Sequence, residues 1–268
     1  MSPFSKAINN ITKANFIKKT PLEFNTRLSQ KYNCKIYLKR EDQQLVRSFK
    51  IRGAYNKVIS FQNESSLTTA SAGNHAQGFA YVCSKIKKPH NIFIPKTTPK
   101  QKIEKIEYFG TEYLNLNIVG DNFNECLSEA LHFSKHNKSP FVHPFDDMDV
   151  ILGQSTIAKE IIDDIESINI NENSIDYLIS PIGGGGLISG LSMYFNEYSK
   201  NTKIIGAEPE NADSMNQSIN NKKITSIKNL DTFVDGASVK TVGNLTYDIG
   251  KKYIDDIFVI NNNHLCFN

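Results

Sequence analysis

Residues 175–190 read IDYLISPIGGGGLISG. The run 175–182 has the apolar, β-branched density of a strand buried on both faces, and it stops at four consecutive glycines. Beyond the glycines, apolar residues resume at helical spacing from about Leu187. Strand, glycine turn and helix in that order make one half of a βαβ unit, and the rest of the chain supplies more of the same. KIYLKRED (35–42) reads as a strand running into a loop, and SFKIRGAYNKVISF (48–61) as a helix with Phe49, Tyr55, Val58 and Ile59 on or near one face. LTTA (67–70) is a short buried strand, NHAQGFAYVCSKI (74–86) a helix and NIFIP (91–95) a strand. Pro99 opens a helix that stops before Gly110, following the preference for proline at helix starts and glycine at helix ends. TEYLNLNIV (111–119) alternates like a strand, and Asp121 is expected to cap a helix carrying Phe123, Leu127, Ala130 and Leu131 on one side. A helix around 151–165 and the strand KIIGAEP (203–209) complete the pattern, with DIFVI (256–260) as a last strand. Such alternation predicts an α/β fold with doubly wound, mostly parallel sheet. Ligands of these folds bind beyond the carboxyl ends of the strands, which points to the loops 40–50, 70–75 and 182–187.

Composition narrows the function classes. The chain has 268 residues, 39% of them hydrophobic and 22% charged, with a formal net charge of +3. That is enough for about two domains or one larger α/β unit, and it excludes disordered and disulfide-scaffold classes. No apolar run approaches the roughly 18–20 residues a membrane span needs, and the polar, Lys/Asn-rich first 20 residues lack the apolar core of a signal peptide. Cys34, Cys83, Cys126 and Cys266 are widely spaced, as reduced thiols of a cytoplasmic protein would be. The charge is too slight and dispersed for nucleic acid. Only Arg27, Arg40, Arg47 and Arg52 of the 31 basic residues are arginines. Three of them crowd into one short window, which makes an anion-binding cluster or chance equally good readings.

Each loop carries a chemical reading beside a structural one. Gly183, Gly184, Gly185 and Gly186 expose consecutive N–H groups at the positive end of a helix, an anion cradle more than tight packing alone requires. No Gly-Lys-Ser/Thr follows, which excludes a P-loop. Gly184, Gly186 and Gly190 with Glu208 leave a dinucleotide-binding alternative, with its third glycine one residue late. Lys50 lies in the first turn of its helix beside Phe49. Burial and the helix's positive end both disfavour an ammonium there, the condition a Schiff-base or general-base lysine needs, whereas most lysines are simply solvated. In Ser71-Ala72-Gly73-Asn74-His75, small residues at a helix start offer N–H groups to a carboxylate and Asn74 adds a side-chain amide, although Ser71 and Asn74 also serve as ordinary caps. His132 and His136 lie four apart with no third ligand evident, and a solvated helix face is the better account of them.

Lys50 within SFKIRGA, SAGNHAQG (71–78) and PIGGGGLISG (181–190), in this order, resemble the fold-type-II pyridoxal-phosphate enzymes, and in particular their threonine dehydratase branch. YLKREDQQLVRSFKIRGAYN (37–56), GQSTIAKE (153–160), GAEP (206–209) and FVDGASV (233–239) extend the likeness over about residues 20–260. The resemblance implies two doubly wound α/β subdomains with the cofactor between them, a small one of about 42–145 inserted in a large one of 1–41 plus 146–268. It implies that Lys50 holds pyridoxal 5'-phosphate and removes the substrate's Cα proton. Gly183, Gly184, Gly185, Gly186 and Leu187 would bind the phosphate, Asn74 the ring's 3-oxygen, with Phe49 and Gly236 lining the cofactor. Ser71, Ala72, Gly73, Asn74 and His75 would receive the substrate carboxylate.

The activity so implied is a carbon–nitrogen lyase of isoleucine biosynthesis, converting L-threonine to 2-oxobutanoate and ammonia in the cytoplasm, as a homo-oligomer when full-length. Serine dehydratases and serine racemases share these motifs, but the racemases' second base is a serine at the position of Ala72. Some relatives hold a divalent cation at the segment corresponding to residues 208–214, where Glu208 and the Ala212 carbonyl match and Asp213 is only adjacent to the third position. Here Ser214 stands where a carboxylate is expected, and no metal is assigned. The chain stops before the glycine-rich segment that faces the ring nitrogen in the family, so an incomplete second subdomain and no regulatory domain are expected. That leaves a non-catalytic remnant or a nucleotide-binding protein as the readings from other classes.

Overall fold

The computed structural model describes residues 2–168 and 175–267. Helix α1 (Pro3–Lys13) opens the chain, capped by the Ser2 hydroxyl and burying Phe4, Ala7 and Ile11 along one stripe. Its many lysines and asparagines hide this spacing, and sequence analysis found no element there. Strands β1 (Leu22–Phe24) and β2 (Tyr37–Lys39) form a small antiparallel pair around α2 (Thr26–Tyr32). Then follow α3 (Lys50–Val58), β3 (Leu67–Ala70), α4 (Asn74–Lys85), β4 (His90–Ile94), α5 (Lys100–Gly110), β5 (Leu114–Ile118) and α6 (Phe123–His136). Strands β3, β4 and β5 make a parallel sheet in that order, with Thr69 beside Ile92 and Ile92 beside Leu116.

The long helix α7 (Met148–Ser167) leads to the second sheet. Its strands are β6 (Tyr177–Pro181), β7 (Lys203–Pro209) and β8 (Asp256–Ile260), again parallel and in order. Helix α8 (Gly186–Tyr198) crosses from β6 to β7, α9 (Ser214–Asn220) and α10 (Asn244–Tyr253) lie between β7 and β8, and α11 (Asn262–Phe267) follows. One apolar cluster packs against the first sheet with Ile51, Leu67, Phe79, Ile92, Ile94 and Ile106 at its centre, and a smaller one of Ala70, Phe93, Cys126 and Ala130 seats α6 on it. A second large cluster joins α1, α7 and α8 to β6 and β7 through Phe4, Leu178, Ile188, Phe195, Ile204 and Met215. The α/β, mostly parallel architecture is therefore realised as two parallel three-stranded sheets, each with its own apolar packing, beside the small antiparallel pair. On β6 only alternate residues turn inward: Tyr177 and Ile179 are 58% and 70% exposed, as is Phe258 of β8 at 58%. Parallel sheets ordinarily bury both faces.

Several local expectations are corrected. Asn122, not Asp121, caps α6 by accepting from the Glu125 amide, and Phe123 and Leu131 are exposed while Cys126 and Ala130 face the core. Gly110 ends α5 inside the helix. It is glycine because a Cβ there would lie 2.6 Å from the Leu114 side chain, and the left-handed position falls to Thr111. Phe49 does not share a face with Tyr55 and Val58, since it packs into the second cluster and they into the first.

Two of the three clustered arginines, Arg40 and Arg52, are anchors and not anion ligands. Arg52 is fully buried and gives two hydrogen bonds each to the carboxylates of Glu41 and Glu160, with others to Thr156 and the Lys18 carbonyl. Arg40 pairs with Glu23 and Asp42. Helices α3 and α7 cross at Gly53 and Gly153, where a Cβ on Gly153 would meet the Gly53 Cα at 2.6 Å and the Arg52 carbonyl at 2.7 Å. Only glycines permit this approach, and it fixes the start of α3, where Lys50 lies.

Candidate active site at three converging loops

The turn from β6 into α8 is built of the four glycines. Gly185 has φ +88°, a left-handed conformation that disfavours any side chain. A Cβ on Gly184 would sit 2.3 Å from the ring of Phe145, and one on Gly186 would be 3.0 Å from the Phe145 Cβ. Seating Phe145 thus accounts for two of the glycines, a packing demand that the sequence does not reveal. Among the described residues, nothing accepts a hydrogen bond from the amides of Gly183 to Ile188. With the start of α8 behind them, these amides form a positive cradle whose four glycines carry no side chains.

Lys50 is the first residue of α3. Its Nζ donates to the Pro144 carbonyl at 2.9 Å and stands 5.5 Å from the centre of the Phe49 ring. Lys50 is half-buried, and desolvation of its amine pushes the pKa down to about 8, so roughly a tenth of it is neutral near pH 7. A buried neutral amine is a nucleophile for a carbonyl and a base for a carbon acid. A Cβ on Gly78 of α4 would fall 3.2 Å from the Lys50 carbonyl carbon, so α4 lies directly against this helix start.

In the third loop the Ser71 hydroxyl accepts from the Gly73 amide, and the amides of Asn74, His75 and Ala76 find no acceptor among the described residues. Ala72 and Gly73 are half-buried, and Asn74 is exposed with its amide nitrogen 3.8 Å from where a Cβ on Gly236 would lie. His75 is buried. Thr69 gives its hydroxyl proton to the Val142 carbonyl, so it must accept from His75 Nε2, 3.1 Å away. That leaves His75 Nδ1 without a hydrogen-bond partner among the described residues. Burial, then Lys50 and His143, hold His75 well below the ordinary histidine value, in keeping with a neutral ring.

These loops meet. Lys50 touches the turn that carries Phe145, Phe145 fills the glycine run, and Gly183 abuts Ala237. Gly236 next to Ala237 approaches Asn74, and Lys102 of α5 pairs with Asp235 across the same edge. The segment 143–147, His-Pro-Phe-Asp-Asp, is the hub that sequence analysis overlooked. Asp146 caps α10 by accepting from the amides of Asn244, Leu245 and Thr246, and Asp147 caps α7 by accepting from Asp149 and Val150. An aspartate ahead of a helical pattern could have signalled the second cap; the first depends on a contact across 98 or more residues.

Glu208, considered both for ribose and for a cation, is buried, and both its oxygens accept backbone amides, from Met215 and Asn216. It has no free oxygen facing a dinucleotide. Asp213 likewise accepts from the side-chain amides of Asn216 and Gln217, and among the described residues no group of three or more His, Cys, Asp or Glu is placed to hold a metal ion. His132 and His136 lie side by side with tilted rings on the exposed face of α6. No described helix is long and apolar enough to cross a membrane.

Residues 13–266 match the family of pyridoxal-phosphate dependent enzymes. The biosynthetic L-threonine dehydratase IlvA of Staphylococcus epidermidis is 48% identical over 256 residues, which cover 94% of this chain and 60% of that protein. The processed form of threonine deaminase isoform 2 from Solanum lycopersicum superposes with a TM-score of 0.85 at 35% identity, over 97% of this chain and 74% of that one. Maize serine racemase superposes with a TM-score of 0.89 at 26% identity, over 98% and 77%.

Proposed function

The chain belongs to the family of pyridoxal-phosphate dependent enzymes, and from that premise we propose that it is the catalytic portion of a threonine ammonia-lyase, taking L-threonine to 2-oxobutanoate and ammonia. The observation that carries this reading is the Lys50 amine, held by the Pro144 carbonyl beside a glycine cradle whose amides have no acceptor among the described residues. Both features suit the cofactor: the amine suits its carbonyl, and a cradle free of Cβ atoms suits its phosphate. When bound, pyridoxal phosphate supplies an electron sink for negative charge at the substrate's Cα.

The chain's own groups do the rest. The amides of Gly183 to Leu187 would hold the phosphate, Asn74 would donate its side-chain amide to the ring's 3-oxygen, and Phe49 and Gly236 would line the ring. Substrate carboxylate is received by Ser71, Ala72, Gly73, Asn74 and His75, chiefly through backbone N–H groups. Lys50 Nζ, part neutral because it is buried, takes the Cα proton. Ala72 offers no proton on the opposite side of the substrate, so elimination is favoured over racemisation. Serine is the alternative substrate.

The same reading divides the chain into a small subdomain of about 42–145 and a large one of 1–41 plus 146–268. It places the enzyme in the cytoplasm, where four unpaired cysteines are at home, and makes it a homo-oligomer in isoleucine biosynthesis. The chain spans about 60% of the length of the curated relatives it matches. Purified chain supplied with cofactor and L-threonine is expected to release ammonia and 2-oxobutanoate, and Lys50→Ala to release none. Cofactor binding with no turnover of threonine or serine would overturn the activity proposed.

A further inference from the structure

The tight turn after β5 and α6 is held by a histidine, and it faces Lys50. His143 Nδ1 accepts two backbone amides, Asp146 N at 2.7 Å and Phe145 N at 3.2 Å. Both partners are donors, so Nδ1 carries a lone pair and the ring proton sits on Nε2. This imidazole therefore acts as an aspartate or asparagine does in a turn, gathering the N–H groups that follow it. Between them lies Pro144, which has no N–H of its own and whose ring fixes φ. Its carbonyl is left to accept from Lys50 Nζ at 2.9 Å. The two residues that follow are equally committed, since Phe145 packs onto Gly184 and Gly186, and Asp146 holds the start of α10.

We propose that His143 is a positioning residue for Lys50: its neutral ring ties the turn that presents the Pro144 carbonyl to the lysine amine. The carbonyl takes one N–H of Lys50 and so fixes the direction of the lone pair, which a base that must meet a single C–H bond requires. This inference rests on Lys50 as the reactive lysine, but its test does not need turnover. The groups facing this amine are His75 from α4 and His143 from the turn, with Asp146 and Asp147 beside His143.

The test reads Lys50 directly in the cofactor-free chain, by pH-dependent acylation with limiting acetic anhydride and quantification of the Lys50 peptide by mass spectrometry. His143→Asn keeps an acceptor close to the place of Nδ1, His143→Ala removes it, and His143→Gln carries one out of reach. The titration of Lys50 is expected to stay near wild type in H143N. In H143A and H143Q it should move down by about one pH unit, a tenfold loss of proton affinity from the missing acceptor. Where H143A does not fold, H143N against H143Q makes the same comparison with two polar side chains. A wild-type titration in H143A or H143Q, or the same displacement in H143N, would overturn the proposal. A chain that titrates as expected yet never consumes threonine would leave this inference standing and remove the activity instead.

Discussion

Lys50 and the glycine run were legible from single residues and their neighbours, because the chemistry they suggest is local: an amine at a helix start, amides without side chains. His143 was not, since its role is set by backbone amides that it meets only when the turn closes. Arg52 misled in the opposite sense. Its partner Glu41 is close in sequence, but Glu160, which completes its neutralisation, lies 108 residues away. The buried titrating residues give a pH dependence whose sign can be worked out. His75, His90 and His143 are all pushed below the ordinary value of 6.5, chiefly by burial, His90 to about 4. Each refuses a proton that the unfolded chain accepts, so each withdraws stability as pH falls below about 6.5. Glu208 works the other way: burial pushes it up to about 7, and its folded form gains stability as pH falls from there toward 4.5. One carboxyl against three histidines leaves a net loss. The urea midpoint is expected to be lower at pH 5 than at pH 7; an equal or higher one would contradict the neutral assignment of His75 and His143.

At the scale of elements, the strands were read well because they are short apolar runs bounded by turn residues, and LTTA and KIIGAEP keep their sequence boundaries in the fold. Helix starts were read less well. Asp121 and Asn122 are both good caps, and the choice between them rests on which side chain reaches the Glu125 amide. Helix α1 shows the limit of composition, since three buried side chains suffice to dock it. The crossing of α3 and α7 is a second feature that pattern could not reveal, because glycine in a helix gives no sign of what it faces. Gly153→Ala would drive a Cβ into backbone atoms of α3 that have no flexible end to yield. It is expected to destabilise the fold by about 1–3 kcal/mol, as overpacking does, and to displace Lys50. Thermal unfolding checks the first effect, and an unchanged midpoint would mean that the helices separate freely.

For the whole molecule, alternation of strand and helix gave the α/β class but not its division into two parallel sheets, which depends on where the chain leaves one sheet for the next. One face of the β6–β7–β8 sheet shows Tyr177, Ile179 and Phe258 to solvent. Exposed contiguous apolar surface promotes association. Replacing Ile179 and Phe258 by serine is expected to reduce self-association in sedimentation velocity without lowering the unfolding midpoint by more than about 1 kcal/mol equivalent, the range of surface changes; association unchanged by the pair would show that this face is not the sticky one. The central claim is that loops from both sheets converge to one cofactor site on Lys50. Its most direct measurement is to incubate the chain with pyridoxal 5'-phosphate, reduce with borohydride, digest, and map the adduct by mass spectrometry. A single stoichiometric adduct on Lys50, lost together with visible absorbance in Lys50→Ala, is the predicted result. An adduct spread over surface lysines, with Lys50 unmodified, would contradict it.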